Sequence, residues 1–147
     1  MIPSFNENGW LLEGIYDCTL DEAAARFGEF QGSDRRPQLW VRFTEFMREL
    51  KACEFLEAVL VNGSFVSTKP DPNDIDLVLV VAAAYDFSRD LPPVEYNLLA
   101  RQRVRRRFGF DIVVAKNGSG NLEQAVAFFQ QVKQRPGGKK GILRIKL

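Results

Sequence analysis

The chain contains no histidine. That absence removes Ser–His and Cys–His nucleophile pairs and most catalytic zinc sites. Acid–base work is left to carboxylates, lysine, tyrosine or metal-bound water. Cysteine is scarce: Cys18 and Cys53 are the only two. They are too few for a disulfide framework, and the expected setting is the reduced cytoplasm. No apolar run approaches the roughly 18 residues of a membrane span, and the polar N-terminus has no signal-peptide pattern. Neither membrane insertion nor secretion is expected. Excess charge of one sign is missing too. With 20 basic and 19 acidic side chains, bulk electrostatics does not point to nucleic acid.

What is present is 147 residues, 46% of them hydrophobic, enough for one domain with a full core. Residues 1–147 read as a single domain, with an N-terminal arm and short helix over 1–36 and a core over 37–147. Neither an internal repeat nor a linker divides it.

Residues 63–77 organise the rest. Gly63-Ser64 is a small-residue turn, 65–73 is a loop stiffened by Pro70 and Pro72, and 74–81 is an apolar run rich in β-branched residues. That run reads as a strand. Asp74 and Asp76 stand one residue apart at its start. Side chains at i and i+2 of a strand share a face, so both carboxylates project to one side and repel. A divalent cation between them removes the repulsion, and hard oxygen ligands suit Mg2+ or Mn2+. The glycine admits backbone amides close to a ligand, and Ser64 adds a hydroxyl. A phosphate cradle followed by paired carboxylates suits a nucleoside triphosphate with its metals. Lys69 reads as a phosphate contact or as a solvated loop lysine. Asp71, between two prolines, reads as a turn residue.

This stretch resembles the signature of the polymerase-β-type nucleotidyltransferase superfamily. The hydrophobic lead-in is Leu60-Val61-Asn62, the small pair is Gly63-Ser64, the spacer is 65–73, and Asp74-Ile75-Asp76 is the Asp-x-Asp among apolar residues. The resemblance implies a third carboxylate on a later strand, which Asp111 in Phe110-Asp111-Ile112-Val113-Val114 supplies. It also implies a minimal nucleotidyltransferase fold, α+β, with a mixed sheet packed by helices. The implied chemistry is in-line displacement at an α-phosphorus. Asp74 and Asp76 would hold two divalent ions, Asp111 would complete the ion that binds the acceptor hydroxyl, and Ser64 would hold the terminal phosphates. A second resemblance spans nearly the whole chain. Ile2-Pro3-Ser4-Phe5-Asn6, Gly14-Ile15-Tyr16 with Thr19, the Gly-Ser-Phe-Val loop and Lys140-Gly141-Ile142-Leu143-Arg144 are similar to a family of small bacterial proteins of uncharacterised role, described as nucleotidyltransferase-like.

The remaining segments are read in order. Residues 1–16 form an irregular arm docked by Phe5, Trp10, Leu11 and Ile15. Thr19-Leu20-Asp21-Glu22 predicts a capping box for a helix over 20–27, ended by Gly28. A helix from Pro37 to about Cys53 presents Leu39, Phe43, Phe46, Met47 and Leu50 at helical spacing. These aromatics read as core, in preference to a base-stacking platform. A strand over 55–62 leads to Gly63. A helix over 94–108 carries an apolar stripe of Tyr96, Ala100, Val104 and Phe108, with Leu98 and Leu99 partly outside it. Five arginines surround the stripe, at 101, 103, 105, 106 and 107. They read as a solvated basic surface or as a site for RNA, triphosphate or an acidic partner. Arg101, Arg103, Arg105 and Arg106 are the candidate acceptor or partner contacts, expected away from the phosphate loop, and no basic residue is expected among the carboxylates. Gly109 ends this helix and 110–115 is a strand. After a turn at 117–120, Asn121 caps a helix that turns Leu122, Ala125, Val126 and Phe129 inward. Residues 135–140 are a basic, Gly-rich loop and a weak phosphate-loop signal. Residues 142–147 alternate apolar and basic, as an edge strand or docked tail.

With the resemblance, the expected function is metal-dependent transfer of a nucleoside monophosphate from an NTP to a protein or RNA acceptor. Small superfamily members resemble the nucleotidyltransferase halves of toxin–antitoxin or defence pairs, which implies such a pairing here. The alternative is a catalytically silent nucleotidyltransferase-fold module that binds nucleotide, RNA or a partner protein.

Overall fold

The computed structural model describes residues 1–132 and 137–147; of the basic loop expected over 135–140, Arg135 and Pro136 lie outside the described residues. The strands are β1 (Gly14–Asp17), β2 (Leu56–Asn62), β3 (Asp76–Val81), β4 (Asp111–Lys116) and β5 (Gly141–Lys146). They form one mixed sheet in the order β1-β5-β2-β3-β4. β1 runs parallel to β5 and β3 parallel to β4, while β2 is antiparallel to both β5 and β3. The helices are α1 (Leu20–Phe27), α2 (Arg35–Lys51), α3 (Pro93–Leu99), α4 (Arg101–Phe108) and α5 (Gly120–Phe129). They pack on the sheet in an α+β arrangement. Among the described residues no helix is long and apolar enough to cross a membrane.

The central strands are apolar on both sides because both faces are covered. Val59 and Val61 of β2, Leu77, Leu79 and Val81 of β3, and Leu143 and Ile145 of β5 share the main core with α2. Ala58 and Leu60 of β2, Val78 and Val80 of β3, and Ile142 of β5 face the other way, against Leu122, Ala125, Val126 and Phe129 of α5. On α2, Leu39, Phe43, Phe46, Met47 and Leu50 are all buried, so the spacing marks core as expected. Each such side chain contributes about 1.5–3 kcal/mol, which makes this the stable face. No residue of α5 is fully buried, so the opposite face is thinly covered. The site lies there.

Local signals hold where the chain obeys them. In α1 the Glu22 amide donates to Thr19 Oγ1 at 3.0 Å and the Thr19 amide to Glu22 Oε1 at 3.2 Å, closing the capping box. Elsewhere the structure corrects the expectation. The helix expected over 94–108 is two helices, broken at Ala100, whose ψ of 117° is extended. The break shifts the periodicity: Tyr96 is exposed, while Leu98 and Leu99 are buried. Ser119, and not Asn121, caps α5, its Oγ accepting from the Leu122 amide at 3.2 Å. α2 starts at Arg35, so Pro37 lies inside its first turn, where no intrahelical partner for its missing N–H is required. The arm over 1–16 is not wholly irregular; it ends in β1, with Leu11 buried and Ile15 exposed.

The largest correction concerns the C-terminal segment. It is neither edge strand nor docked tail but β5, an interior strand between β1 and β2. Its basic residues concealed this. Arg144 donates to Asp17 of β1 at 2.6 Å and 2.9 Å, and that hydrogen-bonded pairing holds the Asp17 carboxyl below its ordinary value. Gly141 opens the strand of necessity, since a Cβ there would lie 2.4 Å from the Leu12 carbonyl oxygen.

Candidate active site

Strand register assembles the site. Asp76 stands opposite Asp111 across the parallel β3–β4 pair, and Asn62, the last residue of β2, stands opposite Asp76. Asn62 is in phase with Leu60, Asp76 with Val78, and Asp111 with Val113, so all three project from the α5 face at one end of the sheet. Asp74 lies two residues before β3 and not within it. The alternation nevertheless extends outward, because Ile75 is buried between the half-buried Asp74 and Asp76. One carboxylate oxygen from each of Asp74, Asp76 and Asp111 lies within 4.8 Å of the others.

Gly63 is required by both conformation and space. Its φ is +80°, and a Cβ would meet Asp76 Oδ2 at 2.3 Å. Any other residue would be strained and would displace a site carboxylate. Ser64 opens the short 3-10 turn Ser64–Val66. Both Gly63 and Ser64 line a cleft of about 1200 Å³, together with the three aspartates, Arg101, Trp10, Phe128, Lys139 and Lys140.

The loop that follows is held by two arginines that sequence reasoning passed over. Arg36 is fully buried. Its guanidinium donates to the carbonyls of Phe27 at 3.1 Å, Phe65 at 2.8 Å, Ser67 at 2.8 Å and Lys69 at 2.6 Å. Burial pushes its pKa down to about 10. Arg35 donates to the carbonyls of Pro72, at 3.0 Å, and Asn73. Together they fix both halves of 65–73 against the start of α2. A signal was available: two cations sit in the first turn of a helix with no acidic residue and no side-chain cap, where the helix dipole disfavours them.

The arginines of α4 divide into two sets. Arg105 Nη1 lies 3.1 Å from Asp74 Oδ2 and 3.2 Å from Asp111 Oδ1, and Arg101, one turn earlier, lines the cleft. The expectation that no basic residue stands among the carboxylates is therefore corrected, and Arg101, expected away from the phosphate loop, lines the same cleft as Gly63 and Ser64. The reason is topological. Because β3 and β4 are parallel, the start of β4 is the site, and Gly109, with φ +81°, turns α4 directly into it. Arg103 and Arg106 lie elsewhere. With Asn97 and Arg107 they line a small cavity of about 340 Å³, where Arg103 covers the Tyr96 ring at 5.3 Å and Arg107 pairs with Glu49 at 2.7 Å. Lys69 does not reach the cleft; it is exposed, and its carbonyl is held by Arg36. Among the described residues the lysines on the cleft are Lys139 and Lys140, the latter 4.4 Å over the Trp10 ring.

The donor set can be tested against a metal. It is all oxygen, from three carboxylates, which suits a hard divalent cation such as Mg2+ or Mn2+. Beside it, the buried Asn62 Oδ1 has no hydrogen-bond donor among the described residues, although Nδ2 of the same side chain donates to the Leu60 and Asp76 carbonyls, each at 3.3 Å. An unsatisfied buried acceptor costs about 1–3 kcal/mol, and such groups mark functional positions.

The family described as a family of unknown function (DUF6932) matches residues 3–146, and the chain belongs to it. No curated protein and no solved structure matches the chain.

Proposed function

We propose that this chain is a metal-dependent nucleotidyltransferase, moving a nucleoside monophosphate from an NTP to a protein or RNA acceptor. The observation that carries the reading is the meeting of three carboxylate oxygens within 4.8 Å, beside the Gly63-Ser64 turn, in a cleft of about 1200 Å³. Such a volume accommodates a nucleotide. Asp74, Asp76 and Asp111 would hold Mg2+ or Mn2+, which when bound supplies charge neutralisation at the phosphates and a more acidic acceptor hydroxyl.

The chain's own residues contribute placement. Gly63 leaves backbone room for a phosphate, the Ser64 hydroxyl donates to a terminal phosphate oxygen, and Arg101 adds positive charge from α4. Trp10 and α5 wall the cleft against bulk water. Histidine is not needed, because phosphoryl chemistry of this kind rests on positioning and charge. The unpaired Cys18 and Cys53 support a reducing, cytoplasmic setting. Arg103 and Arg106, outside the cleft, suit a phosphate-bearing or acidic acceptor.

Incubation with α-labelled NTPs, Mg2+ and a cell extract tests the reading. Label should appear on a protein or RNA and be lost in Asp74→Asn/Asp76→Asn and in Asp111→Asn; equal labelling by these variants contradicts it. Ser64→Ala should weaken triphosphate binding by about 1.5–3 kcal/mol while metal binding persists. Unchanged nucleotide affinity would make Ser64 a turn residue only. One observation favours a second reading. Arg105 already neutralises Asp74 and Asp111, as it would in a silent module that binds nucleotide, RNA or a partner protein. Triphosphate binding without transfer of label from any NTP selects that alternative.

A further inference from the structure

We infer that Arg105 is a resident counter-ion of the carboxylate site, displaced when a divalent cation binds, and that the released guanidinium then joins Arg101 on the triphosphate. Metal and nucleotide would consequently bind cooperatively. The inference rests on the metal-dependent reading above and specifies how that site is regulated.

The geometry supplies the first step. A single nitrogen, Arg105 Nη1, lies 3.1 Å from Asp74 and 3.2 Å from Asp111. Both carboxylates belong to the group whose oxygens lie within 4.8 Å of one another. A guanidinium so placed and a divalent ion among the same carboxylates repel each other, so each weakens the other's hold on the site. The guanidinium also offsets the repulsion among three carboxylates when no ion is bound. The buried Asn62 Oδ1, opposite Asp76, has no hydrogen-bond donor among the described residues.

Strength decides which cation prevails. The Arg105 side chain is 55% exposed, and Asp111 53%. Exposed ion pairs are weak and screened by salt, whereas a divalent ion brings twice the charge and can draw on Asp76 as well. Among the described residues, the Arg105 guanidinium has no other hydrogen-bond or ring partner, unlike Arg103 on Tyr96 or Arg107 on Glu49. Once displaced it is available to a new anion. It sits one helical turn from Arg101, on the same side of α4, and Arg101 already lines the cleft. A triphosphate held by both arginines would keep Arg105 off the carboxylates. By linkage, each ligand must then strengthen the other by the same factor.

Mn2+ titration of the full chain, followed by electron paramagnetic resonance with and without a non-hydrolysable NTP, tests this in wild type and Arg105→Gln. Manganese bound to free nucleotide is subtracted. In wild type, nucleotide should tighten Mn2+ about tenfold or more. Arg105→Gln should bind Mn2+ alone about tenfold more tightly, and its coupling to nucleotide should fall by a similar factor. Arg105→Lys, which keeps the charge on a single-pronged head, should lie between them. Wild-type Mn2+ affinity and wild-type coupling in Arg105→Gln, with a native melting curve, overturn the inference and leave the metal reading standing. Absence of Mn2+ binding in every variant, with and without nucleotide, overturns both.

Discussion

Helices α2 and α4 each bring an arginine to the site, Arg36 from the first turn of α2 and Arg105 from the last turn of α4, and burial gives the two opposite uses. Arg36 lies inside the protein, its guanidinium shared among the carbonyls of Phe27, Phe65, Ser67 and Lys69. Nothing from solvent can replace those bonds. Arg105 lies in solvent between two carboxylates, where any cation competes. One arginine fixes the backbone beside the site; the other leaves the site open to exchange. The same side chain is a splint when its acceptors are buried carbonyls and a counter-ion when they are carboxylates that solvent reaches.

The comparison breaks most visibly at Arg36. Arg36→Gln strands several buried carbonyls and empties part of the space they enclose, and should cost about 3–5 kcal/mol in urea denaturation. Arg36→Lys should recover little of this, because one ammonium cannot span acceptors on both sides of a planar fork. A loss below about 1 kcal/mol would mean the loop holds itself.

Gly63 joins the two regions, since it lies between the splinted loop and Asp76. Gly63→Ala forces a side chain into a left-handed position and against a carboxylate. It should cost about 1–3 kcal/mol and also lower divalent-ion affinity. Loss of stability with full metal affinity would show that Asp76 moves aside without consequence.

The Asp17–Arg144 pair is the smallest yardstick, an exposed arginine–carboxylate pair like that of Arg105 but remote from the site. Hydrogen bonding to Arg144 lowers the Asp17 pKa from its ordinary 3.8. Its contribution to stability is therefore present above that value and is lost as pH falls through the lower folded-state value. Asp17→Asn should lower stability slightly near neutrality, where the pair is charged, and change it little well below pH 3.8, where Asp17 is protonated in any case. A change of equal size at both pH values would show that packing between β1 and β5, and not charge, is at stake.

Much of this arrangement was legible in the chain. Short apolar runs rich in β-branched residues located β2, β3 and β4, and the one-residue spacing of Asp74 and Asp76 correctly placed both side chains on one face although only Asp76 is in the strand. The core residues of α2 followed from helical spacing because a long amphipathic helix has one apolar stripe. What escaped depended on tertiary topology. The parallel pairing of β3 and β4 cannot be read from either strand alone, yet it makes the start of β4 the site and brings Arg105 to Asp74. The four-residue spacing of Arg101 and Arg105 was visible, but a helix assumed continuous from 94 to 108 concealed its significance. The interior position of β5 was hidden by Arg144, whose charge is met only by a residue 127 positions away. Arg36 was hidden because its acceptors are backbone atoms, which no sequence pattern displays.

The most direct test of the central claim is Mn2+ binding by the wild-type chain in the presence of triphosphate, compared with Asp74→Asn/Asp76→Asn and with Asp111→Asn. These carboxylates come from β3, the residues just before it, and β4, and they meet only if β3 and β4 pair as described. Both variants should bind Mn2+ about tenfold or more weakly, with melting temperatures close to wild type. Equal Mn2+ affinity in wild type and both variants would contradict the claim that this end of the sheet is a metal site.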